Sequence, residues 1–408
     1  MTGSRTLRIA IDCRLVAPAQ GLGRAALSLA NALSSSTIRD QEYTFFVQEG
    51  GSEWLRPHVF GPSRMEIVPA PRIKARLRAL TPLRAVWRRL QARKEIPVPK
   101  SNGFFESRKF DAVHFPMQLD RLTSVPSIYQ PWDLQHFHYP EFFSKVGSEL
   151  RNKFHRAFCQ QATFVCVQSN WGKADLVDKL GVPPEKVVVI PWGSVFEAYQ
   201  PVSDEAANAV ARKFSLPKQF FFYPAVTFPH KNHETVIRAL EILKRERGRS
   251  VEVYFSGTST DFRGQLEKLA LGLQMAGQVH YLGFVETDEL QALYRKATAM
   301  VFASKFEGFG LPIFESFHAR LPVISSNATV LPEVAQDGAL YFDPGSPAQL
   351  AEHMNAVLTD EKLRGSLAEK GANVLSRYSM ADTAAGFQGL YERVARQSAR
   401  GRGRPPHR

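Results

Sequence analysis

Short apolar runs of strand length alternate with segments of helical period along most of the chain, and the series runs twice. The first series places strands at 7–12, 43–47, 112–115, 127–130, 164–168 and 187–190. The second places them at 220–226, 251–256, 279–282, 300–303 and 322–325, with helices at 233–247, 261–274, 288–296, 348–358 and 361–375. Within 233–247, Val236, Leu240 and Leu243 fall on one helical face. Such alternation specifies parallel sheets covered by helices on both faces. The segment 191–217 joins the two series, and 408 residues suffice for two Rossmann-like units of ordinary size. The expected fold class is therefore α/β with two parallel sheets.

Composition narrows the function classes. No apolar run approaches the ~18–20 residues that span a bilayer. Ile9-Ala10-Ile11-Asp12 follows the amino terminus almost at once, so the start reads as a core strand and not as a cleavable signal. Three cysteines, Cys13, Cys159 and Cys166, have no Cys-x-x-Cys spacing and read as small buried apolar residues in a reducing compartment. A cytoplasmic location follows, peripheral on the inner membrane face if the basic segment described next binds lipid.

The net charge of +13 is the one unusual bulk property. Residues 72–94 hold nine Arg or Lys and no acid, interleaved with Leu77, Leu80, Leu83, Trp87 and Leu90. That composition suits a helix lying on an anionic membrane surface. A solvated surface helix or a loop packed on its own domain fits equally well. The tail 396–408, rich in Gly and Pro with no apolar residue beyond Ala399, reads as disordered. Charge alone also allows nucleic acid, but a lipid-linked anionic acceptor explains it as well, and no specific nucleic acid is expected.

Chemistry concentrates in 305–333. Glu307 and Glu315 bracket a turn containing Gly308, Phe309 and Gly310, followed by Leu311 and by Pro312 where a helix begins. Proline suits the first helical position, and glycines before it let a phosphate-bearing ligand approach the amide end of the helix. The carboxylates are then free for sugar hydroxyls. A hydrolase pair is disfavoured: eight residues at about 1.5 Å rise span ~12 Å if helical, against roughly 5–9.5 Å between glycosidase carboxylates.

With Leu331-Pro332-Glu333-Val334 behind it, this stretch resembles the E-x7-E signature of retaining GT-B glycosyltransferases of family 4, the nucleotide-sugar users. The resemblance implies GT-B architecture. An acceptor-side domain 1–195 and a nucleotide-sugar domain 196–379 would face each other across a cleft. A last helix near 380–395 would cross back to the first.

It also implies roles for individual residues. Pro229-His230-Lys231-Asn232 looks like the element whose lysine grips the donor diphosphate, so Lys231 would be donor-binding and catalytic. Glu315 would take the ribose diol and Glu307 the transferred sugar. The donor site would be completed by Gly308, Phe309, Gly310 and Leu311, by Val285 at the base, and by Gly21 and Gly23 in a glycine loop after the first strand. Trp132-Asp133-Leu-Gln-His136 and Tyr139-Pro-Glu-Phe-Phe143 resemble members acting on mannose-type or rhamnose-type sugars. Asp133 would then lie at the reacting end, with Arg24, Asp133 and His136 on the acceptor side. His136 and His138 have no metal-ligand partners at suitable spacing, and each reads as a hydrogen-bonded structural histidine sooner than as a catalyst. Ser169 reads as a helix cap, and Gly193 as a ligand-proximal turn.

Two departures stand out. Many relatives carry an arginine where this chain has Val226, and a histidine where it has Trp132. No Asp-x-Asp metal motif occurs, and the resemblance implies neither cofactor nor metal. The expected activity is transfer of a hexose, mannose- or rhamnose-type, from a nucleotide-sugar to a glycan or lipid-linked acceptor, with retention. A non-catalytic scaffold or glycan-binding protein and a nucleotide-sugar epimerase share the architecture. Intact Glu307, Glu315 and Lys231 argue against the first, and the histidine-rich epimerase site is not recognisable.

Overall fold

The computed structural model describes residues 5–14, 21–38, 40–50, 53–69, 96–118 and 120–402, with side chains to residue 397. The basic segment 72–94 and residues 403–408 lie outside the described residues. Seven strands form a first, wholly parallel sheet: β1 (Leu7–Asp12), β2 (Gln41–Gln48), β3 (Ser63–Val68), β4 (Ala112–Phe115), β5 (Ser127–Tyr129), β6 (Phe164–Val167) and β7 (Val187–Val189). Their order is β3-β2-β1-β4-β5-β6-β7. Six more form a second parallel sheet: β8 (Phe220–Pro224), β9 (Glu252–Ser256), β10 (Val279–Gly283), β11 (Ala299–Phe302), β12 (Val323–Ser326) and β13 (Ala339–Phe342). Here the order is β10-β9-β8-β11-β12-β13. The α/β expectation with two parallel sheets holds.

Helices cover both faces of each sheet, which is why the central strands are apolar throughout rather than alternating. Phe220, Phe221, Phe222 and Tyr223 of β8 are all buried, as are Ile9, Ala10 and Ile11 of β1. Two strands escape the sequence pattern, β3 and β13, and both are edge strands. β3 carries no continuous apolar run, reading Ser-Arg-Met-Glu-Ile-Val, and β13 is an apolar run of only four residues, Ala-Leu-Tyr-Phe. The helix Lys145–Gln161 also escapes it, because only His155, Phe158 and Cys159 are buried along its length. Its legible signal is the cap, Ser144 accepting from Gly147 N at 3.1 Å.

The two sheets share one design consequence. In each, the strand order reverses beside the first strand, at β1/β4 and at β8/β11. Such switch points open a crevice at the carboxyl ends of the strands. The segments leaving β8 and β11 lie side by side at the second of these switch points.

The last helix, Met380–Arg402, packs on the first sheet: Tyr391 OH lies 2.9 Å from His114 Nδ1, and Gln388 Nε2 donates to Tyr43 OH at 2.8 Å. It runs through residues 396–402, which corrects the expectation of disorder from 396 onward. Gly193 packs against this helix. Its amide donates to Thr383 Oγ1 at 3.1 Å, and a Cβ there would lie 2.4 Å from Met380 N.

Candidate functional site

After β8 the chain makes one short turn, Pro229–Lys231, and enters the helix His233–Arg247. Lys231 is fixed there from two directions. Tyr223 OH donates to its carbonyl at 2.6 Å, and Asn232 Nδ2 donates to Ala303 O at 3.1 Å and Pro344 O at 2.8 Å. After β11 the chain passes Glu307 and enters the helix Leu311–His318, with Pro312 in its first turn and Gly310 as N-cap at φ +96°. Only glycine adopts that conformation without strain. Lys231 Nζ and Glu307 Oε1 meet at 2.6 Å, with side chains 20% and 13% exposed.

Glu315 lies one turn into the same helix and is buried, its side chain 1% exposed. Its Oε2 accepts from Tyr294 OH at 2.7 Å. Its Oε1 faces Arg24 Nη2, 3.2 Å away, from the first turn of the helix Gly21–Ser34. Gly21 and Gly23 belong to that first turn, which corrects the expectation of a loop preceding the helix.

The halves also meet at Gly308, where a Cβ would sit 2.4 Å from Trp132 O and 3.0 Å from Asp133 Cβ. Trp132 holds φ +66°, rare for a non-glycine residue, and its indole donates to Pro116 O at 2.7 Å while packing on Trp192. Its carbonyl, not its ring, faces Gly308, so the indole does not stand in for the histidine of relatives. Asp133 accepts from Gln118 Nε2 at 2.8 Å and from Gln135 N at 3.0 Å, and burial raises its pKa. Tyr139 OH donates to Lys305 O at 3.2 Å, a further tie between the halves.

Against this geometry two family models divide the chain between them. Residues 19–194 match Glycosyltransferase Family 4, and residues 205–374 match Glycosyl transferases group 1. The chain belongs to the group 1, family 4 glycosyltransferases. It is 27% identical over 252 residues to O-antigen chain mannosyltransferase B of Escherichia coli, covering 60% of this chain and 65% of that one. It is 30% identical over 213 residues to O-antigen chain mannosyltransferase RfbU of Salmonella typhimurium, covering 52% and 55%. The chain thus spans less than two thirds of the length of these relatives. In structure it resembles Anabaena HepE in complex with UDP and glucose, with TM-score 0.70 and 16% identity over 95% of this chain and 99% of that one. The shared fold is GT-B.

Not every expected site residue of this family 4 member joins the cleft. Lys231 and Glu307 are paired, Arg24 and Glu315 are paired, and Asp133 adjoins Gly308. His136 instead turns into its own half, stacked on His155 at 5.3 Å, where burial pushes its pKa down to about 4. His138 is held by Asp175, Nε2 to Oδ1 at 2.7 Å. Phe309 is a core residue, edge-on to Phe314 at 5.5 Å, so only its main chain is open to a ligand role. Leu311 is half-buried at the start of the helix, and Val285 is buried just beyond the carboxyl end of β10. Ser169 caps the helix Asn170–Leu180, accepting from Gly172 N at 3.0 Å.

Around the candidate site, Tyr294 and Gln118 gave no signal in the sequence, and Tyr139 and Glu333 stood in recognised motifs without a role of their own. None lies in a recognisable spacing with its partner, since Tyr294 precedes Glu315 by 21 positions and Gln118 precedes Asp133 by 15. A cavity of about 460 Å³ lined by Gln219, Thr298, Arg320 and Pro322 opens at the amino ends of the second sheet's strands. That edge is opposite the one where ligands of open α/β sheets bind.

Among the described residues no helix is long and apolar enough to cross a membrane.

Proposed function

We propose that this glycosyltransferase moves a hexose, mannose in the first instance, from a nucleoside-diphosphate sugar to a hydroxyl of a glycan or lipid-linked acceptor, retaining configuration. The observation that carries the reading is the Lys231–Glu307 pair at the β8/β11 switch point, 2.6 Å apart and largely shielded from water. A donor diphosphate offers Lys231 a better anion than one carboxylate, and its departure frees Glu307 for the vicinal hydroxyls of the sugar. Glu315 takes the ribose diol, with Tyr294 fixing its orientation. Asp133 stands at the reacting end.

Catalysis is then positioning plus stabilisation of the leaving nucleoside diphosphate by Lys231 and the amide end of the helix Leu311–His318. The incoming hydroxyl attacks from the face the leaving group vacates, and a donor phosphate oxygen takes its proton. Mannose is favoured over other hexoses by the names of the relatives from Escherichia coli and Salmonella typhimurium. Nucleoside-diphosphate release from GDP-mannose, dTDP-rhamnose, UDP-glucose and UDP-N-acetylglucosamine tests the reading. Release from GDP-mannose above the others is expected, and release from none would overturn it.

A further inference from the structure

We propose that Arg24 is the second cation on the donor diphosphate, and that Glu315 holds it in the empty site until the donor arrives. The proposal rests on the glycosyltransferase reading and goes beyond it, because it moves Arg24 from the acceptor side to the leaving group. The starting point is a deficit. A leaving diphosphate carries more charge than Lys231 alone neutralises, and the half-buried Val226, between β8 and the Lys231 turn, adds none.

Arg24 has the right placement. It sits on the first turn of the helix that follows β1, at the switch point of the first sheet, and reaches across to the helix carrying Glu315. Its contact there is incomplete. Nη2 and Glu315 Oε1 are 3.2 Å apart, yet Oε1 makes no hydrogen bond, and Arg24 Nε is buried without an acceptor among the described residues. A guanidinium has five donors in a planar fork. Leaving one buried and unpaired is unfavourable, and the geometry suits bidentate capture of a phosphate.

Glu315 is the natural placeholder. Its Oε2 is held by Tyr294, so Oε1 alone is free to exchange partners. When the ribose diol arrives, Oε1 accepts from a hydroxyl and Arg24 transfers to the diphosphate oxygens. One binding event thus satisfies both orphaned atoms. The exchange also couples donor binding to closure, since the arginine and the carboxylate belong to opposite halves. No bond is made or broken in this step.

Calorimetry with the nucleoside diphosphate that wild type binds best among GDP, UDP and dTDP, and with its monophosphate, tests the proposal. Arg24→Gln should weaken diphosphate binding by about tenfold or more, the scale of one charge-assisted contact, while monophosphate binding changes little. Adding Val226→Arg to Arg24→Gln should recover much of the lost affinity. Equal loss of both nucleotides would make Arg24 a strut between the halves and overturn the proposal, as would no loss at all. Wild type that binds none of the three diphosphates would remove the underlying glycosyltransferase reading instead.

Discussion

Glu333 caps a helix that belongs to the other sheet. Its Oε1 accepts from Asn170 N at 2.7 Å and Asn170 Nδ2 at 3.1 Å, and its Oε2 from Trp171 N at 2.8 Å. Asn170 and Trp171 open the helix Asn170–Leu180, so a carboxylate from the second half sits at the positive end of a first-half helix dipole. Ser169 satisfies only Gly172 N, which leaves the first amides to Glu333.

Glu333→Ala should therefore lower stability by about 1–2 kcal/mol, the usual worth of an N-cap. The loss should also loosen the two halves, because the bonds removed run between them. Thermal unfolding reads the first effect, and small-angle scattering reads the second as a larger radius of gyration. An unchanged melting temperature and an unchanged radius would remove Glu333 from this role.

Gly308→Ala is expected to separate binding from transfer. A Cβ at this position meets Trp132 O at 2.4 Å, and both contacts are backbone or near-backbone atoms that cannot turn away. Overpacking of this kind typically costs about 1–3 kcal/mol. The strain falls on closure, not on the second sheet, so nucleoside-diphosphate affinity should survive while sugar transfer falls. A variant with wild-type transfer would show that the halves need not approach this closely.

Lys231→Ala and Glu307→Gln should fail differently. In the proposed reading the lysine faces charge that grows as the glycosidic bond breaks, so its loss should reduce transfer by about 10²–10³-fold, the scale of one lost transition-state donor. If Glu307 holds the transferred sugar as proposed, Glu307→Gln should lower turnover with a smaller loss of nucleoside-diphosphate affinity. Parallel transfer assays and calorimetry check both. Equal losses in rate and affinity for Glu307→Gln would contradict the division of roles.

The meeting of Lys231 and Glu307 in the candidate site was legible because both leave strands at the second switch point. The runs Phe220–Pro224 and Ala299–Phe302 announce β8 and β11, and Lys231 and Glu307 follow them in recognisable motifs. What stayed hidden are the partners. Nothing in the sequence ties Arg24 to Glu315, or Glu333 to Asn170, because each contact joins segments brought together only when the two sheets pack. Trp132 shows the same limit: nothing in its type announces the positive φ, the inward ring or the carbonyl turned toward Gly308. Edge strand β3 stayed hidden for a simpler reason, since partial exposure lets polar residues interrupt it, and β13 because a run of four apolar residues cannot be told from a buried helix segment.

The last prediction concerns acid. Burial pushes the pKa of His114, His155, His230 and His233 down from 6.5 to about 3, and that of His136 to about 4. The folded protein holds these rings neutral, and the unfolded chain protonates them near 6.5. Between pH 6.5 and about 4 the unfolded state therefore binds more protons, and stability falls as pH falls through that window. Above 6.5 this contribution is fully present and flat. Each ring protonated only on unfolding contributes about 1.4 kcal/mol per pH unit once well below its unfolded pKa. Urea unfolding followed from pH 7.5 to 4.5 should show a midpoint that is level at first and then drops steeply. His155→Gln should flatten the drop even if it lowers the plateau, since the stacked His136–His155 pair would lose one titrating member. A stability difference between wild type and His155→Gln that stays constant across the window would show that burial does not hold the His155 ring neutral.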